Sequence, residues 1–380
     1  MKTDFKTWVK EEIVFCVSFL AAVFALILTP PAVERFFALD WKTLFSLFML
    51  LLTLEGLKKE NMFLPFMRLT TGFQSVMALT YFLVAVVFFL AAYITNDVSL
   101  VTFVPLTIAI FRFIGKEQYT VKVVVLENIA AITGAFLTPF GNPQNLYIYA
   151  NTEIGPMAFV LHMMPLWFAA LCGLAVAIRI VYRKNPKERI YVHKEIEGEW
   201  DPARKGLRVF YVALLALVLF TIISGKFNFI SIVCFVLIAL LVFDRSVYGK
   251  VDYILLATFF CFFVFSSSIA ANPKISAVLS KYVAGNEYWW GILVSQIVSN
   301  VPGTALLHPF TENMTALLYG VNTAGMGDLV GSLACLISFR LYTQAYPTEK
   351  GRFLKYFHLF STCFLVLLIV VAVPLKNWAI

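Results

Sequence analysis

Charged residues are scarce in this chain of 380 residues, at 14% of the total. Hydrophobic residues make up 61%, and the mean hydropathy is +0.84. A soluble domain of this length has too little interior to bury so much apolar surface. The composition therefore excludes a soluble globular protein and predicts an integral membrane protein, since many apolar runs reach the length of a membrane helix.

Several motifs of enzymes and of nucleotide or metal sites are also missing. The sequence has no HExxH pair and no Walker or GxGxxG loop, so neither a metalloprotease nor an ATP-driven pump is supported. The six cysteines form no CxxC pair and fall in apolar segments, where we expect buried, reduced packing residues. The first apolar run lacks a small-residue cleavage site, which favours an uncleaved helix over a signal peptide. No organic cofactor is expected.

Basic residues are distributed unevenly between the apolar runs. If the N-terminus, with Lys2, Lys6 and Lys10, is cytoplasmic, six of the 30 Lys and Arg residues lie outside and the other 24 lie inside. Those six are Arg35, Lys42, Lys226, Lys274, Lys281 and Lys376. Cytoplasmic loops carry an excess of Lys and Arg, so this split predicts the topology N-in, C-out. The net charge of +8 is thereby explained by orientation, and no nucleic acid is expected as a partner.

The apolar runs predict an all-α polytopic membrane protein with about 10–11 spans. The predicted runs are 13–29, 42–57, 76–94 with 98–113, 121–150, 157–178, 207–223, 229–243, 251–271, 288–318, 322–342 and 354–374. A polar connector at 183–206 and a linker helix at 207–228 separate an N-terminal repeat (1–182) from a C-terminal repeat (229–380). The connector could instead be a regulatory or docking loop.

The two halves share one order of segments: two helices, a polar break, a weakened helix and a further helix. By the charge count the first half begins inside and the second begins outside, which predicts inverted repeats. The predicted hairpins cover about 76–113 and 288–318, and the predicted broken helices cover about 121–150 and 322–342.

Each half contains a short polar cluster within an apolar run: Thr95-Asn96-Asp97 in the first and Ser299-Asn300-Val301-Pro302 in the second. Polar groups in lipid are costly unless something binds them. The arm from Tyr288 to Val298 has 11 residues. At about 17 Å of helix it reaches only the middle of a hydrocarbon core of about 30 Å. We therefore predict a re-entrant tip at Ser299–Pro302 and, by symmetry, at Thr95–Asp97. Ordinary helix caps are the alternative.

Two further stretches combine polar residues with helix-breaking ones. The first runs from Thr138 to Asn145 and the second from Gly325 to Ser332. Non-helical backbone at membrane depth is tolerated where it lines a cavity or packs on protein. The predicted ligands from these stretches are Thr138, Pro139, Gly141, Asn142, Pro143, Gln144, Asn145, Gly327, Asp328 and Ser332. Kinked packing helices are the alternative.

Ionisable residues inside the predicted spans are few, and we expect no Lys or Arg near the two breaks. A carboxylate without a cationic partner holds a proton or a cation. This favours coupling to protons or sodium, with Asn96, Asp97, Asn300 and Asp328 as possible sodium ligands. Glu127 and His308 are further ionisable residues within spans.

An intramembrane aspartyl protease is a remote alternative to a transporter. Gly325-Met326-Gly327-Asp328 has the G-x-G-D form of intramembrane aspartyl proteases, with Asp244 as the available second aspartate. Such enzymes need two facing aspartates that share a proton. Asp244 stands beside Arg245 at a helix end, so the sequence favours a non-enzymatic protein.

As a set, the polar clusters resemble those of the ion transporter superfamily, in its arsenite-permease and sodium/proton-antiporter, citrate-transporter-like branch. The motifs that carry the resemblance are Ile94–Val98, Phe103–Thr107, Leu137–Leu146, Ser295–Pro302 and Gly331–Ala334. The resemblance implies a scaffold domain, a moving domain with two hairpins, elevator-like alternating access and a homodimer. It also implies ligands from both tips and both breaks, and the cytoplasmic membrane of a prokaryote.

The substrate stays open at this point. Relatives in the superfamily carry carboxylates, citrate, arsenite, or sodium against protons. This chain has Thr-Asn-Asp and Ser-Asn-Val where sodium/dicarboxylate members have Ser-Asn-Thr. The leading hypothesis is a secondary transporter of a small anion, coupled to sodium or protons. A sodium/proton antiporter is the second hypothesis, and a channel is the third.

Overall fold

The computed structural model presents the chain as helices joined by short turns. It describes residues 12–30, 33–37, 39–62, 72–186, 188–190, 201–224 and 228–377. Within these ranges the β-structure is one isolated bridge between Ser75 and Arg189, so the all-α prediction is confirmed there. The basic residues 2, 6, 10 and 226 and connector residues 191–200 lie outside the described residues.

The α-helices of the described residues are numbered α1 to α17 in chain order. The first eight are α1 (Ile13–Leu28), α2 (Val33–Phe37), α3 (Trp41–Lys59), α4 (Val76–Ile94), α5 (Asn96–Phe113), α6 (Glu117–Gly134), α7 (Pro143–Ala150) and α8 (Pro156–Val181). The others are α9 (Lys205–Ser224), α10 (Phe229–Asp244), α11 (Tyr253–Ala270), α12 (Pro273–Val283), α13 (Glu287–Val298), α14 (Asn300–Leu307), α15 (Met314–Thr323), α16 (Leu333–Ala345) and α17 (Lys350–Leu375).

Eight of these helices are long and apolar enough to cross a membrane, which confirms a polytopic membrane protein. They are α4, α5, α6, α8, α9, α10, α11 and α17. The other predicted spans correspond to α1, to α3 with its charged ends, and to the short helices α13–α16. The predicted total of spans is reached only when these are counted, and the inverted orientation of the halves stays a prediction.

Side-chain caps explain where several helices begin. An Asp or Asn side chain accepts a backbone N–H two or three residues later, which satisfies a donor that has no partner within the helix. The capping residues are Asp40 (α3), Asn142 (α7), Asn228 (α10), Asp252 (α11) and Asn313 (α15). Because Asn142 is followed by Pro143 at the first helical position, α7 begins sharply after the first break.

Helix α6 lies at the centre of the packing. Within its apolar stretch, 89% of the residues are buried in the protein. It contacts α4, α5 and α8 from its own half and α16 and α17 from the other. A second group, formed by α1, α3 and α11, packs beside this assembly, and α3 and α11 contact α7 and α14 respectively. The two halves are therefore intertwined around α6.

The second half departs from its predicted bounds. The arm after Ser299 ends at Leu307, and α15 already begins at Met314, before the predicted start at residue 322. His308–Phe310 form a 3₁₀ turn that contains Pro309, and Asn313 then caps a new helix. The structure also contains α12, an 11-residue helix that the sequence reasoning did not predict.

The expectation of buried cysteines is wrong for three of the six. Cys172, Cys234 and Cys363 are exposed, whereas Cys261 and Cys335 are buried. All six are free thiols. The exposed three lie on membrane-length helices. An apolar residue facing lipid gains nothing from burial, so location in an apolar run does not imply an interior position.

Candidate functional site

The two polar tips share one unusual backbone conformation. Thr95 has φ 72° and ψ 154°, and Ser299 has φ 77° and ψ 157°. A residue other than glycine in this region is strained and must be held by its surroundings. At each tip the next residue is an asparagine whose Oδ1 accepts the following backbone N–H, from Asp97 at 2.9 Å and from Val301 at 3.0 Å. The two tips are thus built alike although their sequences differ.

Each tip or its arm is tied to the break of its own half. In the first half, the backbone N–H of Asn96 donates to the carbonyl of Gly141 at 3.2 Å, and the hydroxyl of Thr138 donates to the carbonyl of Ala92. In the second half, Gln296 of α13 supplies the contacts. Its Nε2 donates to the carbonyls of Ala324 and Met326, and its Oε1 accepts from Asp328 N at 2.9 Å.

The side-chain amide of Asn145 binds three backbone carbonyls that lose their helical partners at the first break. Nδ2 of Asn145 lies 3.1–3.3 Å from the carbonyls of Ala135, Phe136 and Thr138. Gly141 permits this fold-back, because a Cβ there would lie 2.3 Å from the oxygen of Ala135. Asn145, predicted as a ligand, is therefore fully buried and has its amide occupied by the protein itself.

Two asparagines that the sequence reasoning missed join the halves. Asn322 of α15 accepts from Asn142 Nδ2 at 3.1 Å and from Gln144 Nε2 at 3.5 Å, and donates to Asn145 at 2.7 Å. Asn128 of α6 donates to the carbonyl of Ala334 in α16 at 3.1 Å. The available signal was one polar amide within an otherwise apolar run, but it does not identify the partner.

A cavity of about 250 Å³ lies between the first tip and the group formed by α1, α3 and α11. Four predicted site residues line it: Thr95, Asp97, Asn142 and Pro143. Asp97 is half-buried, and its Oδ1 has no hydrogen-bond partner in the described protein. The N-termini of α5 and α7 thus meet at one wall of this cavity.

Charged residues from distant parts of the chain reach the same cavity. They are Glu12, Glu55, Lys58, Asp252 and Arg340. The sequence-based statement that no Lys or Arg lies near the breaks is therefore wrong, because packing of α3 and α16 brings Lys58 and Arg340 to the first tip. With Asp97, the lining holds four acidic and two basic residues, so its formal charge is negative.

The remaining predicted residues lie outside this cavity. Thr138, Pro139, Gly141, Gln144 and Asn145 are buried within the first break. Ser299, Asn300, Val301 and Pro302 are buried at the second tip. Ser332 is buried where α16 begins, and Gly327 (φ 109°) donates its N–H to Ser361 at 2.7 Å.

Asp328 does not join Asp97. It is exposed, and its carboxylate accepts from the backbone N–H of Leu329, the residue that follows. Asp328 therefore acts as a local cap, and its position outside the cavity separates it from the proposed sodium ligand Asp97.

The protease alternative receives no support from the position of its second aspartate. Asp244 binds Lys59 through both oxygens, at 2.6 and 2.8 Å, and also accepts from Tyr211 and Ser246. A carboxylate neutralised by a lysine cannot share a proton with another aspartate in the way that aspartic proteases require.

Comparisons with known proteins extend over both tips and both breaks. A family model described as citrate transporter matches residues 7–339. The uncharacterized transporter MJ0456 of Methanocaldococcus jannaschii is 33% identical over 325 residues, which cover 84% of this chain and 86% of that protein. The inner membrane protein YbiR of Escherichia coli K12 is 29% identical over 348 residues, which cover 90% of this chain and 86% of that protein.

Proposed function

Because this chain belongs to the citrate transporter family, we propose that it is a secondary active transporter of a small anion of the carboxylate or oxyanion class. Sodium or protons couple the transport. The single observation that carries the proposal is the cavity in which Asp97 meets two helix N-termini, Lys58 and Arg340. The family description makes citrate the first substrate to test.

The anion is held by groups that favour negative charge. Helices α5 and α7 begin at the cavity wall, and the dipole at a helix N-terminus favours negative charge. Lys58 and Arg340 add positive charge on the α3 and α16 sides. A volume of about 250 Å³ lies just below the usual range for ligand pockets, about 300–1,000 Å³, which suits a small solute.

The coupling ion is held by Asp97. Its Oδ1 receives no hydrogen bond from the described protein, and an acid at membrane depth holds either a proton or a cation. Asn96 begins the same helix and is buried beside it. Because acidic residues outnumber basic ones around the cavity, a bound cation or proton is needed before an anion enters at low cost.

Transport occurs by an elevator-type movement. The tips and breaks of both halves move as one body, since hydrogen bonds join each tip to its break and Asn322 joins the halves. Helices α1, α3 and α11 form the other wall of the cavity and act as the stationary scaffold. A homodimer holds two such scaffolds together.

A sodium/proton antiporter is the second candidate, and the negative lining of the cavity favours it. In that case Asp97 binds the sole substrate and no anion crosses. A channel, the third hypothesis, would pass solute without coupling to a gradient.

Flux in proteoliposomes separates the candidates. The transporter hypothesis predicts citrate uptake that saturates and depends on a sodium or pH gradient. Full sodium-for-proton exchange without any organic anion or oxyanion would contradict it and support the antiporter.

Arg340→Gln sharpens the same assay. We expect the citrate concentration for half-maximal uptake to rise by about tenfold, the loss of about 1.4 kcal/mol of binding free energy. Arg352→Gln is the matched control, because Arg352 of α17 pairs with Glu349, the residue before that helix, and does not line the cavity. Equal effects of the two substitutions would remove Arg340 from the anion site.

A further inference from the structure

A second membrane-embedded acid, Glu127, lies near the middle of α6 and is not part of the cavity. Its side chain is fully buried. The hydroxyl of Thr107 on α5 donates to Oε1, whereas Oε2 has no partner among the described residues. The amide oxygen of the adjacent Asn128 is buried and unpartnered as well. A carboxylate anion in such surroundings is costly, whereas a neutral carboxylic acid is tolerated.

No cation compensates Glu127. None of the ion pairs in the described part of the chain includes it. Of the helices that pack against α6, α4 contributes tyrosines but no charged side chain. The charged, histidine and cysteine residues of the other packed helices are Asp97 and Arg112 (α5), His162, Cys172 and Arg179 (α8), Cys335 and Arg340 (α16), and Lys350, Arg352, Lys355, His358 and Cys363 (α17).

The arginine of α5 and the lysine of α6 are engaged elsewhere. Arg112 donates to the carbonyl of Ala345 and lies over the ring of Tyr346. Lys122, on α6 itself, lies over the ring of Tyr356. Among the described residues, the side-chain hydrogen bond to Glu127 comes from a neutral hydroxyl, which leaves the proton as the ligand that neutralises the acid.

We propose that Glu127 is a proton-binding site, distinct from Asp97, which holds a proton in this state and releases it during the transport cycle. This coupling role rests on the proposed transport function. The step is a proton transfer: the O–H bond at Oε2 breaks and water accepts the proton when the helices around α6 rearrange, and the bond forms again when they close.

The position of Glu127 behind the cavity explains how its charge acts on the bound solute. Helix α6 packs against α5, which supplies Asp97 and Val98 to the cavity, and against α16, which supplies Leu333 and Arg340. Asn128 binds the first turn of α16 through the carbonyl of Ala334. Ionisation of Glu127 therefore changes the free energy with which α6 packs against α5 and α16, the helices that form two walls of the cavity.

Pro105 adds a point of weakness on the opposite helix. It lies inside α5, two residues before Thr107, and removes a backbone donor from that helix. A proline within a helix is a common place for bending. Movement of α5 at Pro105 would shift the Thr107 hydroxyl away from Glu127 and admit water to the acid.

Infrared difference spectra of the purified protein test the site without any transported solute. We expect the C=O stretching band of a protonated carboxylic acid in the wild type, and we expect it to disappear once the pH is high enough to remove the proton. Glu127→Gln removes this band. The control Glu117→Gln keeps it, because Glu117 is an exposed residue at the start of the same helix. An identical band in Glu127→Gln and the wild type would overturn the proposal, and so would a Glu127 band that persists at every pH.

Proteoliposomes test the coupling, with citrate as the probe. In Glu127→Gln we expect citrate counterflow to stay within about twofold of the wild type and pH-driven uptake to fall by about tenfold, within the usual range of coupling between sites. Glu127→Asp, which keeps an acid, should restore pH-driven uptake in part. Unchanged pH-driven uptake in Glu127→Gln would overturn the proposal.

The two experiments distinguish failure of the proposed transport function from failure of the proposed proton site. If the wild type does not move citrate, the proposed function fails, and the infrared spectra still decide whether Glu127 binds and releases a proton. If Glu127→Gln does not fold, the spectra of Glu127→Asp decide the matter, since substitution of the titrating acid must change the band, and an unchanged band would assign it to another residue.

Discussion

Asn322 and Asn145 meet at the join between the two halves, where Nδ2 of Asn322 donates to Oδ1 of Asn145 at 2.7 Å. Both side chains are fully buried. Asn145 uses its own amide nitrogen to bind the carbonyls of the first break, and Asn322 accepts from Asn142 at the start of α7. This contact links the break of one half to the end of α15 in the other, so the two breaks cannot separate without losing it.

We expect Asn322→Ala to destabilise the protein. The substitution leaves Nδ2 of Asn142 and Oδ1 of Asn145 without these partners in a dry interior, and unpaired buried groups are costly. A double-mutant cycle with Asn145→Ala, followed by thermal unfolding in detergent, isolates the pair. We expect a coupling free energy of about 0.6–1.7 kcal/mol, as for hydrogen bonds between membrane helices. Strictly additive effects would mean that the contact does not join the halves.

The sequence was sufficient to predict several helix ends but not the contacts that the side chains make within the breaks. Apolar runs and their polar interruptions were sufficient to place Thr95, Ser299 and Asn142 at helix ends, because these are local properties of the chain. The role of Asn145 could not be foreseen, since its amide binds carbonyls that only the folded break presents.

The charge of the cavity was also beyond local reasoning. Lys58 and Arg340 lie far from the first tip in sequence and reach it through the packing of α3 and α16. The prediction treated Asp97 and Asp328 alike, yet one faces the cavity and the other caps an exposed turn. Residue type and spacing carry no information about which of two similar acids a long-range contact selects.

The tip asparagines provide a direct test of the site. We expect Asn96→Ala and Asn300→Ala to abolish transport and leave the protein folded, since the hydrogen bonds of each Oδ1 are local. Oδ1 of Asn96 accepts from Asp97 N, and Oδ1 of Asn300 accepts from Val301 N and the Ser299 hydroxyl. Flux in proteoliposomes measures the first effect, and thermal unfolding measures the second. Asn286→Ala is the matched control, because Asn286 is exposed and makes no side-chain cap at the start of α13. Normal flux in either tip variant would exclude that residue from the site.

Asp97 and Asp328 should differ in their effect on coupling. Asp97→Asn removes a charge from the cavity, so we expect the sodium or pH dependence of transport to change. Asp328→Asn retains an acceptor for Leu329 N on an exposed turn, so we expect both dependences to stay as in the wild type. Uptake measured over a range of sodium concentrations and pH values compares the two variants. An unchanged profile for Asp97→Asn would remove it from the coupling role, and a changed profile for Asp328→Asn would restore that residue to it.

The segment after α8 contributes stability that depends on pH. Lys116 and Tyr119 both donate to the Glu188 carboxylate at 2.6 Å, and they hold the pKa of Glu188 below its ordinary value. A carboxyl group with a lowered pKa stabilises the folded state above the pKa of the unfolded chain, about 4.3. That stability is lost as the pH falls through the lower pKa of the folded state.

Glu188→Gln should therefore lower the free energy of unfolding by about 0.5–1 kcal/mol at neutral pH, the range for a partly exposed ion pair. The difference from the wild type should vanish in acid, where Glu188 is protonated in both states. Thermal unfolding at a series of pH values measures it, and Lys116→Gln, which removes the partner of the same pair, should give a similar pH-dependent loss. A deficit in Glu188→Gln that persists unchanged in acid would show that the side chain acts through packing and not through its charge.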